Sequence, residues 1–153
     1  MRAGEQGFSY VVVMFLVAFL SIASVRALEN ARTVERREKE ASLLWVGTAY
    51  RNAIAVYHAG TPGEQKSYPK KLEDLLYDER QANPGRPLRK LYRDPITGSE
   101  DWGLVKNADG YIMGVYSLSR DVPIKRAGFP PELSNLSGAK YYSDWKFVYQ
   151  PVN

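Results

Sequence analysis

An α+β fold, with a long N-terminal α-helix packed on a small antiparallel β-sheet, is what this chain predicts, on three observations. An apolar run without charge fills Phe8 to Val25. From Phe8 to Ala59 there is no proline and only one glycine, Gly47. Beyond Asp94 the spacing of apolar residues drops from a helical period towards two, the period of a half-buried strand.

The apolar run comes first. About 18 residues at 1.5 Å each span roughly 27 Å, close to the ~30 Å hydrocarbon core of a bilayer. Ala27 and Leu28 lengthen it while Arg26 snorkels. A secretory signal has an apolar region of only about 7 to 15 residues behind a positive start. Here the run is longer, Arg2 and Glu5 cancel in the leader, and Ala23 and Val25 make a poor cleavage site. The segment therefore reads as a membrane span.

The uninterrupted helix predicted over Phe8 to Ala59 is about 50 residues and roughly 75 Å long. Glu29 to Glu40 is dense in mixed charge, and Glu35 with Lys39 stands in the favourable i to i+4 order. This neck has no sustained a/d heptads and reads as a solvated helix surface rather than a coiled coil. From Leu43 the pattern turns amphipathic. Leu43, Val46, Tyr50, Ile54 and Tyr57 recur every three or four residues and mark one buried face.

Gly60-Thr61-Pro62-Gly63 ends the helix, glycine as cap and proline as block. Tyr68 to Leu76 reads as a short second helix with Pro69 in its first turn and Leu72, Leu75 and Leu76 on one face. Asn83-Pro84-Gly85-Arg86-Pro87 is a loop and Asp94-Pro95-Ile96-Thr97-Gly98 a turn. Trp102 to Lys106 and Tyr111 to Leu118, joined by Asn107-Ala108-Asp109-Gly110, predict a β-hairpin. Ser119 to Lys140, rich in Pro, Gly and Ser, reads as a long surface loop with room for one helical turn. Tyr142 to Gln150, with Trp145, Phe147 and Tyr149 at period two, reads as the last strand. The organisation is then a leader over 1–7, a membrane span over 8–28, a helix continuation over 29–59 and one head over 60–153.

Composition narrows the chemistry. Zero cysteines exclude disulfides, thiol catalysis and cysteine zinc sites. The only histidine, His58, has no nucleophile or acid at a telling spacing and reads as a packing or surface residue. Glu73-Asp74 and Glu100-Asp101 are sequence neighbours whose side chains diverge, so they read as solvated rather than catalytic. The net charge of +4 and the cluster Arg86, Arg89, Lys90 and Arg93 around Tyr92 pose a nucleic-acid site, with phosphate contacts and stacking acting together. Against it stands a solvated loop whose Leu88, Leu91 and Tyr92 face the core.

A short polar leader ending in Gly7, with Phe8 next and an immediate apolar run, resembles a type IV prepilin leader. The resemblance implies that a prepilin peptidase cuts between Gly7 and Phe8 and methylates Phe8. The head resembles that of major pseudopilins of type II secretion, through Tyr68-Pro69-Lys70-Lys71-Leu72-Glu73-Asp74-Leu75 and through Asp94-Pro95 with Trp102. The chain departs at the fifth mature position, where the family has an assembly glutamate and this sequence has Val12.

The resemblance further implies a pilin-like fold and a non-enzymatic structural subunit of a type II secretion or type IV pilus-related filament, supporting export across the outer membrane. It implies a single-pass protein of the bacterial inner membrane with a periplasmic head. Partners would be other pilin-like subunits, the prepilin peptidase and the inner-membrane assembly platform, in a hetero-oligomeric filament spanning the periplasm or reaching the surface. No cofactor is required. Major pseudopilins bind calcium in the loop before the last strand, where this chain offers only Asp121 and Glu132 as carboxylates, few for a cation that takes six to eight oxygens. Two alternatives share the residues: a minor pilin whose head binds DNA or a surface, and an isolated membrane-anchored periplasmic domain. The positive-inside rule opposes the implied orientation, since Arg2 precedes the span while Arg26, Arg32, Arg36, Arg37 and Lys39 follow it.

Overall fold

Free of proline, and with Gly47 as the single glycine after Phe8, the N-terminal stretch forms one helix, α1, Gly4–Ala59. The computed structural model describes residues 4–63, 65–80 and 85–151. Met1 to Ala3 of the leader, and Asn83 and Pro84 of the predicted loop, lie outside the described residues. The chain divides into two compact units, Met1–Glu38 and Lys39–Asn153.

Among the described residues of the first unit α1 is the only element, and its described apolar side chains are exposed. Phe8, Phe15 and Phe19 are each more than 70% exposed. Ser21 and Ser24 return their hydroxyls to the carbonyls of Val17 and Leu20, both at 2.8 Å, which satisfies them without any outside partner. At residues 29–38 every side chain is exposed, as a solvated neck requires.

In the second unit the amphipathic reading holds. Leu43, Val46, Tyr50, Ile54 and Tyr57 are all buried, and Ala53 joins them. Gly47 permits a close approach: a Cβ there would lie 2.3 Å from the Phe147 ring. The end of α1 is closed by cations that complement its carbonyl end. Arg80 Nη2 donates to the Tyr57 carbonyl at 2.8 Å and Lys66 Nζ to that of Ala59 at 3.2 Å.

The sheet is three-stranded and antiparallel in the order β1 (Gly103–Lys106), β2 (Ile112–Tyr116), β3 (Phe147–Val148). The predicted hairpin is present, with a bulge between Val105 and Lys106. Asn107 Oδ1 accepts the N–H of Asp109 and of Tyr111 to shape its loop. Gly114 on β2 sits where a Cβ would strike the Phe147 carbonyl at 2.4 Å, which lets β3 pair closely. Together α1 and the sheet make the α+β head that the sequence predicts.

Four local expectations are corrected. The second helix shrinks to a 3-10 turn, Leu72–Leu75, because the Pro69 carbonyl is taken by the N–H of Ile112 at 2.8 Å. The Asp74 carboxylate meanwhile caps the N–H groups of Lys70 and Lys71, both at 3.0 Å. The last strand shrinks to two residues for the same kind of reason. Asp144 caps Lys140 and Tyr141 at 3.1 and 2.9 Å, folding Tyr142–Asp144 into a 3-10 turn, and Tyr142 and Ser143 donate to the Asp121 and Ser119 carbonyls.

The long loop is not simply a surface feature. A 3-10 segment, Pro131–Leu136, drives Leu133 and Leu136 into the core. Finally, Glu40 does not belong to the solvated neck: it is buried, and the 119–126 segment is bonded to it.

Candidate functional site

The Gly7–Phe8 junction lies within α1, and Phe8 projects from it, 73% exposed. Val12, one turn on, is exposed too. Between Phe8 and Leu28 the described apolar side chains present one uncovered surface, and this part of α1 is long and apolar enough to cross a membrane.

In the head the basic cluster is held by aromatic packing. Tyr50 Oη accepts the Tyr92 N–H at 2.9 Å and donates to the Tyr92 carbonyl at 3.2 Å, while Trp102 Nε1 donates to the same carbonyl at 2.8 Å. Burial pushes the Tyr50 phenol above its usual pKa, its hydrogen bonds to Tyr92 working the other way. The Tyr92 ring stands edge-on to both Trp45, at 5.3 Å, and Tyr50, at 6.3 Å. It is therefore wedged between the two and half-buried.

Around it, Arg93 pairs with Glu100 at 2.7 Å, Arg86 donates to the Arg89 carbonyl at 3.3 Å, and Lys90 lies over the Tyr92 ring. Arg86, Arg89 and Lys90 make no ion pair among the described residues. Leu88 is buried as expected; Leu91, expected to face the core, is exposed. The segment from Leu88 to Tyr92 is tied down at its two ends, by the Leu88 N–H to Leu75 and by Tyr92, and Leu91 rides over the span between.

Trp45 is the residue that sequence reasoning missed. It falls just outside the apolar face marked by Val46, so periodicity gives it no role, yet it is 61% exposed beside Tyr92. A large aromatic on the polar side of an amphipathic helix is the signal that could have found it.

Asp121 and Glu132 are both exposed, and among the described residues no group of three or more carboxylate or imidazole side chains could share a metal. The 119–126 segment is instead tied to Glu40, whose carboxylate accepts the N–H groups of Ile124 at 2.5 Å and Lys125 at 3.2 Å.

His58 stacks with Tyr68 at 4.5 Å and Tyr149 at 5.6 Å, and desolvation, with help from Lys66, holds its imidazole below the usual pKa. Asp94 is buried and accepts from Ile96 N–H, Thr97 Oγ1 and Ser117 Oγ, the last at 2.7 Å. Its oxygens are thus committed to shaping the turn. Arg80 spans Asp78, Thr61 and Ser67 with its guanidinium 3.5 Å over the Tyr57 ring.

These residues define a class of protein: one helix long and apolar enough to span a membrane, and a small α+β head. No family model, curated protein or solved structure matches the chain.

Proposed function

We propose that this chain is a non-enzymatic, pseudopilin-like structural subunit of a type II secretion or type IV pilus-related filament. The observation that carries the proposal is the uncovered apolar surface of Phe8 to Leu28, which starts immediately after Gly7. Such a surface needs lipid before assembly and neighbouring helices after it. A prepilin peptidase removes residues 1–7 and methylates Phe8. The processed helix is then drawn from the inner membrane into the filament core, with the head displayed outside the cytoplasm.

Subunits that meet head to tail through different faces build open helical assemblies. Val12 gives this subunit a particular place in one. An acid within an apolar span is costly and is kept for a specific partner. With valine there, the span supplies no acid to pair with the N-terminal amine of a neighbour, so the chain depends on subunits that carry the glutamate.

Expressed alone with the peptidase and export machinery, the chain should form no long filaments. Co-expressed with a glutamate-bearing subunit, it should crosslink to that subunit through the span. Abundant homopolymeric fibres from this chain alone would contradict the proposal. Alkaline phosphatase fused after Asn153 should be active in the same cells, and an inactive fusion would return the head to the side that the arginine count favours.

A further inference from the structure

Two patches of the head carry opposite charge, and each presents an exposed aromatic residue. The first is a groove between α1 and the segment that follows Gly85. Trp45, Ala49 and Val56 form its helix wall, with Pro87 and Tyr92 opposite, and its volume is about 390 Å³, room for one aromatic ring. Arg86, Arg89 and Lys90 stand at or beside its rim, all exposed, and no carboxylate lines it.

The second is a shallow shelf around Tyr77, which is 53% exposed. Two of its acids are already used, Asp74 in capping Lys70 and Lys71, and Asp78 in binding Arg80. Glu73 and Glu79 remain exposed and make no ion pair among the described residues.

We propose that the Trp45 groove receives the Tyr77 shelf of a second copy of this chain, Tyr77 entering the groove and Glu73 and Glu79 meeting the basic rim. Charge complementarity selects this occupant: at or beside the groove's rim stand three exposed cations, and the chain itself carries an aromatic flanked by two exposed carboxylates, all five without an ion pair among the described residues. The contact joins two different patches, so a pair that makes it once still presents one free groove and one free shelf to further copies. It rests on the filament reading, which supplies neighbours in a fixed direction. Being confined to the heads, it does not need the missing acid at Val12 and by itself yields only short oligomers.

The chain has no cysteine, so introduced thiols report without background. In membranes containing the full chain, the double variant Tyr77→Cys/Arg89→Cys should give disulfide-linked dimers and trimers on mild oxidation, and neither single variant should. Adding Arg86→Glu should lower the yield by up to about five-fold, as a rim ion pair allows, and adding Glu79→Arg should restore it.

No crosslink above that of the single variants would overturn the contact. So would equal dimer yield from Arg89→Cys alone, because Arg89 would then face the same residue of another copy and not Tyr77. Single-stranded oligothymidylate that quenches Trp45 and abolishes the crosslink would make the groove a nucleic-acid site and overturn it as well. A ladder from chains that keep Met1 would support the contact and defeat the filament reading. Chains starting at Phe8 and crosslinked through the span, but with no ladder, would do the reverse.

Discussion

Glu40 Oε1 accepts the phenolic hydroxyl of Tyr142 at 2.9 Å, joining α1 to the approach to β3 across 102 residues of sequence. The same carboxylate takes the N–H groups of Ile124 and Lys125, so one buried acid gathers three donors from two segments. Burying a carboxylate is costly unless its lone pairs are filled, and here they are filled by neutral donors.

Glu40→Ala should destabilise the head by about 3 kcal/mol, since it takes their common acceptor from the buried Tyr142 hydroxyl and the half-buried N–H groups of Ile124 and Lys125, and Tyr142→Phe by about 2 kcal/mol. The double variant should cost less than the sum of the two single losses, because both substitutions remove the same Glu40–Tyr142 hydrogen bond. Thermal unfolding of the full chain in detergent, followed by near-ultraviolet circular dichroism, measures all three. Additive losses would show that the two groups act separately.

Gly47 poses a contest of magnitudes. Alanine in a helix interior gains about 1 kcal/mol over glycine, but the new Cβ would meet three atoms of the Phe147 ring at 2.3–2.4 Å. Overpacking of that kind costs about 1–3 kcal/mol. Gly47→Ala should therefore destabilise by up to about 2 kcal/mol, and adding Phe147→Leu should recover part of the loss. The same melting experiment checks it, and a stabilised Gly47→Ala variant would refute the packing argument.

His58 makes stability depend on pH. Its imidazole titrates near 6.5 when unfolded and lower when folded, because burial between Tyr68 and Tyr149 disfavours the cation. Between the two values the unfolded chain binds more protons, so the stability present at pH 7 declines as pH falls through 6.5 towards the folded value. The melting temperature should drop over that window in the parent chain and drop less in His58→Phe. Identical pH profiles for the two would rule the effect out.

The buried face of α1 was legible because a helix repeats its environment every three to four residues, and Leu43, Val46, Tyr50, Ile54 and Tyr57 obey that repeat. The hairpin was legible from alternation and from the turn residues at Asn107 and Gly110. What could not be read depends on distant partners. Nothing near Glu40 announces that Ile124, Lys125 and Tyr142 will converge on it, and a neck of mixed charge hides one buried acid among exposed ones. Nor does local pattern reveal that Pro69 gives its carbonyl to Ile112, or that Asp144 turns the chain where aromatic residues at period two suggest a strand. Of the candidate surfaces, the Arg86 to Arg93 cluster was visible as charge, while its neighbour Trp45 came into view only when the fold set the two segments side by side.

The reading of the chain as a filament subunit is tested most directly by the mass of its N-terminus. Purified from cells that contain a prepilin peptidase, the mature chain should begin at Phe8, lack residues 1–7 and carry one added methyl group, and replacing Gly7 with a bulky residue should block both changes. A chain that still begins at Met1 in those cells would contradict the account.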